Sequence, residues 1–180
     1  MSTKTLLTAD DLEQMPDDDS VQTELDEGEL ITMPPAGESH GRYEGEIYSI
    51  LRHYVKAHRL GRVYPGDTGF RLADHTVRSP DVSFVRQDRL QTIESTGFAK
   101  GVPDLAVEIF SPSDSVRQLM RKVKQYFAAG CHTVWIVYPE SKEVHVLEAT
   151  GRDDLLHAGD TIEAQDLLPG FSVPISEFFE

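Results

Sequence analysis

The apolar residues of this chain change their spacing several times, and each change marks an element. From Glu38 to about Arg59, residues Tyr43, Ile47, Ile50, Leu51, Tyr54 and Val55 recur at helical steps, giving one apolar face of an amphipathic helix. Gly61 follows as a stop signal. A second helix is expected over Ser113–Ala129, with Val116, Leu119, Met120, Val123, Tyr126 and Phe127 along one side and Gly130 as its stop. A shorter one fits residues 8–16, capped by Thr8 or Asp10 and ended near Pro16. Elsewhere the period shortens. Residues 24–32 (ELDEGELIT) read as a small hairpin around a DEG turn, and RVYPG, TGFRLA and DVSFV within 62–86 read as short strands. Residues 104–110 (DLAVEIF) and 133–138 (TVWIVY) are compact apolar runs suited to buried strands. Residues 142–148 fit a partner strand, with Val144 and Val146 alternating against His145 and Leu147.

The order is thus helix, several strands, strand–helix–strand, strand. Apolar stripes and faces of this kind must be buried against one another, and the economical packing is an α/β domain with a mixed central β-sheet flanked by helices. Residues 17–20 (DDDS) read as a solvated turn, 33–37 (MPPAG) break regular structure, and 87–103 read as a loop with one helical turn. The tail is expected to dock through Leu167, Leu168, Phe171 and Phe178. With no repeat, linker or low-complexity run, residues 1–180 are expected to form one domain, long enough to close a substantial core.

Composition changes this picture in three places. No apolar run approaches the ~20 residues that cross a bilayer, and the opening residues lack the basic and long apolar segments of a signal peptide. A cytoplasmic protein with no membrane partner is the expectation. Cys131 is the single cysteine, which excludes an intrachain disulfide and a cysteine-rich zinc site. The net charge of −14 opposes a phosphate-rich partner. That acidity lies mostly at the ends: residues 1–30 hold ten acids and one base, residues 153–180 hold seven acids and no base, and the stretch between carries 16 bases and 14 acids. Between Arg52 and Arg62 there are four bases and no acid. A near-neutral middle leaves room for a local basic surface.

Two carboxylates stand out. Glu108 interrupts an apolar strand, where an ionised side chain is costly unless it is paired, hydrogen-bonded or metal-bound. Asp81 opens another strand directly after Pro80, which holds the chain extended. Carboxylates at the ends of neighbouring strands can hold Mg²⁺, which takes oxygen ligands and keeps several waters. The plainer alternative is that Asp81 caps a turn and Glu108 faces solvent. On the helix that follows, Lys122 and Lys124 flank a stripe centred near Val123, and either can reach back over a sheet edge, whereas Arg117 and Arg121 look outward. The alternative there is a solvated face whose lysine stems cover apolar surface. The histidines show no helical zinc spacing: His53 and His58 are five apart.

The stretch from PDVSFV through PDLAVEIFSPSDS to RKVKQYFAAGCHTVWIVYPE resembles the Uma2 family, a member of the PD-(D/E)XK, or restriction-endonuclease-like, superfamily. The likeness extends upstream to TELDEGELITMPPAGESHGR and GDTGFRLADHTVRSPDV and downstream to LLPGFSVP, nearly the whole chain. It implies a restriction-endonuclease-like core whose motif aspartate is Asp81 and whose motif glutamate is Glu108. The superfamily lysine, two residues after the glutamate, is replaced here by Phe110. Uma2-like sequences carry a lysine on the next helix instead, four residues before a tyrosine, which matches Lys122 ahead of Tyr126; Lys124 is the second choice. Glu24 and His40 also fall at recurrent family positions, Glu24 as metal support or surface carboxylate, His40 as phosphate contact or helix cap.

The resemblance implies a Mg²⁺-dependent endonuclease, Mn²⁺ being the second metal, that hydrolyses nucleic-acid phosphodiesters, with DNA as the expected substrate. Asp81 and Glu108 would hold the metal, Lys122 would position or deprotonate the attacking water, and the basic helix end with Arg117 and Arg121 would contact the phosphate backbone. A homodimer would suit cutting of both strands. A second reading, favoured by Phe110 and the acidic ends, is a catalytically weak or inactive nuclease-fold binding module. A third is a small-molecule hydrolase or structural domain in which the two carboxylates only close a polar network.

Overall fold

The computed structural model describes residues 6–16, 21–112 and 114–180. The turn expected at 17–20 and the expected helix start at Ser113 lie outside the described residues. In chain order the helices are α1 (Ala9–Glu13), α2 (Glu38–His58), α3 (Leu90–Ile93) and α4 (Val116–Ala128). The strands are β1 (Gln22–Asp26), β2 (Glu29–Met33), β3 (Gly61–Pro65), β4 (Phe70–Ala73), β5 (Thr76–Arg78), β6 (Val82–Arg86), β7 (Ala99–Lys100) and β8 (Leu105–Ile109). They continue with β9 (Thr133–Tyr138), β10 (Glu143–Glu148), β11 (Asp153–Leu156), β12 (Thr161–Glu163) and β13 (Ser172–Pro174).

The main sheet is six-stranded and mixed, in the order β11-β10-β9-β8-β6-β3. Its single parallel pair is β8 with β9, joined through α4, as a parallel connection requires a crossover. Strand alternation divides the sheet into two faces. Leu105, Val107 and Ile109 of β8 face a core built with Ile47, Leu51 and Val55 of α2, Trp135, and the docked tail residues Leu167, Leu168, Phe171 and Phe178. Ala106, Val134 and Ile136 face the opposite way, against Leu119, Val123 and Tyr126 of α4. Helices on both faces and a buried tail are what the apolar pattern implied.

A second, five-stranded sheet, β2-β1-β5-β4-β7, was not foreseen. It carries the expected hairpin of β1 and β2, joined to β5 by a single residue pair, Leu25 with Val77. Strands of three and two residues, such as β5 and β7, are too short to show a period. This sheet brings β1 over the α4 side of the main sheet, a placement that decides the site.

Two helix boundaries differ from expectation for local reasons. The cap of α2 is Arg59, in the left-handed conformation at φ 54°, not a glycine. Gly61 instead begins β3, where a Cβ would sit 2.0 Å from the Val85 carbonyl oxygen; the glycine allows close strand pairing. Helix α4 starts only at Val116, capped by the Ser115 side chain. Val116 is therefore in the first turn and 62% exposed, off the buried stripe where it was expected. The helix ends as read: Gly130 takes φ 98°, its N–H donates to Phe127 O and that of Cys131 to Tyr126 O, a Schellman closure.

Leu51, wholly buried where α2 meets the sheet, is expected to cost about 2–5 kcal/mol when cut to alanine. Val116→Ala should stay within about 0.5 kcal/mol. Urea denaturation of both variants measures the contrast.

Candidate active site

The site begins with the register of two adjacent strands. β6 and β8 are antiparallel, with Val82 opposite Val107 and Ser83 opposite Ala106. One further step in that register puts Asp81 opposite Glu108. Asp81 is fixed there because its Oδ2 accepts the Ile109 N–H at 2.6 Å. Glu108, sharing the face of Ala106, points toward α4 rather than to solvent and is buried. The solvent-facing alternative for Glu108 is thereby excluded.

Helix α4 supplies the cation. Leu119, Val123 and Tyr126 form its buried stripe, and Lys122 shares one edge with Tyr126, four residues on. Both reach Glu108. The Tyr126 hydroxyl donates to Oε1 at 2.5 Å, and Lys122 Nζ lies 3.2 Å from Oε2. The same ammonium is 3.1 Å from Oε1 of Glu24, on β1 of the second sheet. Glu24 is fully buried, not the surface carboxylate that was the other possibility. It is held by Arg78 Nη1 at 2.8 Å and the Ser79 N–H at 2.9 Å. Arg78 also pairs with Asp26 at 2.9 Å and donates from Nε to Gln125 Oε1.

On the other side of Asp81, His40 Nε2 lies 3.0 Å from Oδ1. Glu44, one turn along α2, accepts the Gly66 N–H at 3.1 Å. His40, Glu44 and Asp81 can each present one ligand atom within 4.8 Å of the others. His40, Asp81, Glu108 and Lys122 line, with the 33–37 segment, a cleft of about 360 Å³.

Burial first, with neighbouring charges and hydrogen bonds after it, sets the protonation of the carboxyls around the cleft. Burial pushes the Glu108 carboxyl up to about 7, against the pull of Lys122 and helped by Asp81 and Glu24. Burial also works against the Lys122 ammonium, but Glu108, Glu24 and Asp81 outweigh it and hold that amine well above its ordinary value. The hydrogen bond to Asp81 raises His40 despite burial, with Asp81, Glu44 and Asp114 adding to it. Burial likewise raises Glu44, opposed by the Gly66 N–H. Four carboxylates thus converge where Lys122, Arg78 and His40 are the nearby cations. A divalent cation would relieve that imbalance, and the donor set fits one: carboxylate oxygens suit Mg²⁺, while a His40 nitrogen suits Mn²⁺ better.

Of the residues read from the sequence, Asp81, Glu108, Lys122, Tyr126, Glu24 and His40 all meet in this region, and Lys124 does not: it is exposed and has no ion pair among the described residues. Arg121, expected as a backbone contact, is engaged by Asp26 and Glu27 at 3.0 Å each, whereas Arg117 stays exposed. Glu44 and Arg78 were missed. The signal for Glu44 was its i, i+4 spacing from His40 on one helix face. For Arg78 no local signal exists, since its partners lie on β1 and α4.

The architecture is that of a nuclease-like α/β fold with an acidic cleft where the interior strands β6 and β8 of the main sheet meet β1 of the five-stranded sheet. The Uma2 profile, described as "Putative restriction endonuclease", matches residues 9–176, and the chain belongs to that family. Among solved structures it is similar to "a putative nuclease belonging to DUF820 from Anabaena variabilis ATCC 29413", with a TM-score of 0.81, 20% identity, and coverage of 96% of this chain and 97% of that one. At that identity the likeness shows the fold alone. Among proteins of curated function, none matches this sequence. No helix of the described residues is long and apolar enough to cross a membrane.

Two predictions follow from the geometry. Arg78→Met leaves Glu24 buried without its guanidinium and should destabilise the fold by about 3–5 kcal/mol, measured by urea denaturation. Because Glu108, His40 and Glu44 all retain protons to higher pH than usual, a metal must displace protons as pH falls. Calorimetric affinity for Mn²⁺ should therefore drop by about tenfold per pH unit per proton released below about pH 7, and level off above it.

Proposed function

We propose that this protein is a metal-dependent nuclease acting on nucleic-acid phosphodiesters, with DNA the first substrate to test. The observation that carries the reading is the meeting of Asp81 and Glu108, from adjacent strands, with the Lys122 ammonium at an acidic, ligand-sized cleft. Membership of a family described as "Putative restriction endonuclease" supports it.

Asp81 and Glu108, with His40 and Glu44 beside them, would hold Mg²⁺ or Mn²⁺. An ion held there would supply Lewis-acid chemistry, polarising a phosphodiester and lowering the pKa of a water. The chain's own residues set the rest. Tyr126 and Lys122 fix the rotamer of Glu108 from one helix edge, and the Ile109 N–H fixes Asp81, so the carboxylates are ordered before ligand arrives. With its amine held well above the ordinary value, Lys122 acts as a charged group that orients water and offsets developing negative charge. That argues against the deprotonating role. Phe110, at the position of the superfamily lysine, packs against Tyr138, and the helical amine takes the vacant electrostatic role.

Purified protein with supercoiled plasmid, linear duplex, single-stranded DNA and RNA, each in Mg²⁺, Mn²⁺ or EDTA, tests the reading. Cleavage is expected with metal and not with EDTA. Asp81→Asn, Glu108→Gln and Lys122→Met should each lower it by about 100-fold or more. Circular dichroism checks that each variant folds, and calorimetry should show Mn²⁺ binding lost in Asp81→Asn. Metal binding without cleavage of any substrate would favour the binding-module reading; neither binding nor cleavage would overturn both.

A further inference from the structure

Away from the cleft, a second groove of about 580 Å³ lies between the C-terminal half of α2 and β3, lined by Arg52, Lys56, Arg59 and Arg62 with Gly61 and Gln87. All four basic side chains are exposed, and none has a carboxylate partner among the described residues. Many cations elsewhere on this acidic chain are taken up, Arg71 by Asp10 and Asp74, Arg86 and Arg89 by Asp104, Arg121 by Asp26 and Glu27, Arg152 by Glu148 and Asp154, whereas Lys100, Arg117, Lys124 and Lys142 have no ion pair among the described residues. Residues 47–66, which supply most of the groove, contain no acid.

The arrangement is built across two elements. Arg52, Lys56 and Arg59 recur at i, i+4 and i+7, so they share one flank of α2, and β3 brings Arg62 to the facing wall. Complementing the helix dipole accounts for Lys56 and Arg59 near the last turn. It does not account for Arg52, further back, or for Arg62 on a strand. Arg59 moreover holds the left-handed cap position at φ 54°, where glycine is the usual occupant, so a cationic side chain is kept there at a backbone cost.

We infer that this groove is a docking site for the phosphate backbone of double-stranded nucleic acid, remote from the chemistry. The inference rests on the nuclease reading for its biological sense, and its test does not depend on cleavage. Sixteen residues of α2 separate His40, at the cleft, from Lys56, about 24 Å at 1.5 Å per residue. A duplex rising 3.4 Å per phosphate spans that in about seven base pairs. On α2 between His40 and Arg52 the same flank carries Gly41, Gly45 and Ser49, and a Cβ at either glycine would meet nothing within 4 Å. The carboxylates of the cleft repel a backbone while the groove attracts it. The groove therefore supplies the attraction that a net charge of −14 withholds elsewhere.

The test is fluorescence anisotropy with a labelled duplex of roughly 24 base pairs in EDTA, from about 50 to about 200 mM salt. It compares the unaltered chain with Arg52→Gln/Lys56→Gln/Arg59→Gln/Arg62→Gln. These are exposed positions, and a melting curve verifies the fold. The expected result is a loss of about tenfold or more in affinity and a log–log salt slope shallower by about 3–4, as four phosphate contacts imply. An equal slope and affinity in the two proteins would overturn the inference. Calorimetric Mn²⁺ binding separates the two readings. If the quadruple variant binds Mn²⁺ like the parent but loses duplex, the groove stands whatever the cleavage assay gives. If the parent cleaves and the quadruple variant retains both slope and cleavage, the nuclease reading stands and the groove falls.

Discussion

One ammonium bridges buried carboxylates of the two larger sheets. Lys122 lies between Glu24 of the five-stranded sheet and Glu108 of the six-stranded one, at 3.1 and 3.2 Å, with its side chain only 18% exposed. Neither carboxylate could be sunk there alone, since an unpaired ion in the interior costs several kcal/mol. Tyr126 and Arg78 complete the arrangement by taking the remaining oxygens. A hydrophobic set of similar volume would commonly be no less stable. The polar choice therefore points to use rather than to stability, and its cost is offset by the apolar clusters on either face of the main sheet.

The strongly acidic composition takes on a different meaning once the partners are known. Asp10, Asp26 and Glu27, from the acid-rich first thirty residues, hold Arg71, Arg78 and Arg121. Much of the basic supply of the middle of the chain is thus spent on internal pairing. The cations that remain unpaired in the α2–β3 groove gain significance from that background, and the cleft remains a negatively charged hollow suited to positive ions.

The departure at Phe110 has a structural resolution. A lysine there would have to rise from the strand itself, on the face opposite Ile109. Lys122 reaches Glu108 from above, through α4, whose position is set by the parallel β8–β9 pair it connects. An amine on α4 can reach Glu108 as one on the strand would, because side chains from a helix packed on a sheet approach the same point in space as those from the strand beneath.

The sequence by itself determined the elements with a repeating period: α2, α4, the hairpin of β1 and β2, strands β8 and β9, and the docking residues of the tail. Spacing within one element is a local property, so the i, i+4 relation of Lys122 and Tyr126 and the intrusion of Glu108 into an apolar run were legible too. The strand-opening place of Asp81 after Pro80 was legible as well, and family resemblance added Glu24 and His40 as positions without saying what they touch. Only the tertiary structure decided that a second sheet exists, that Glu24 is buried against Lys122, that Arg78 links β1 to α4, and that Glu44 joins His40 and Asp81. Those contacts join residues up to about a hundred positions apart, and they arise from strand pairing and helix docking, whose register no local pattern along the chain encodes.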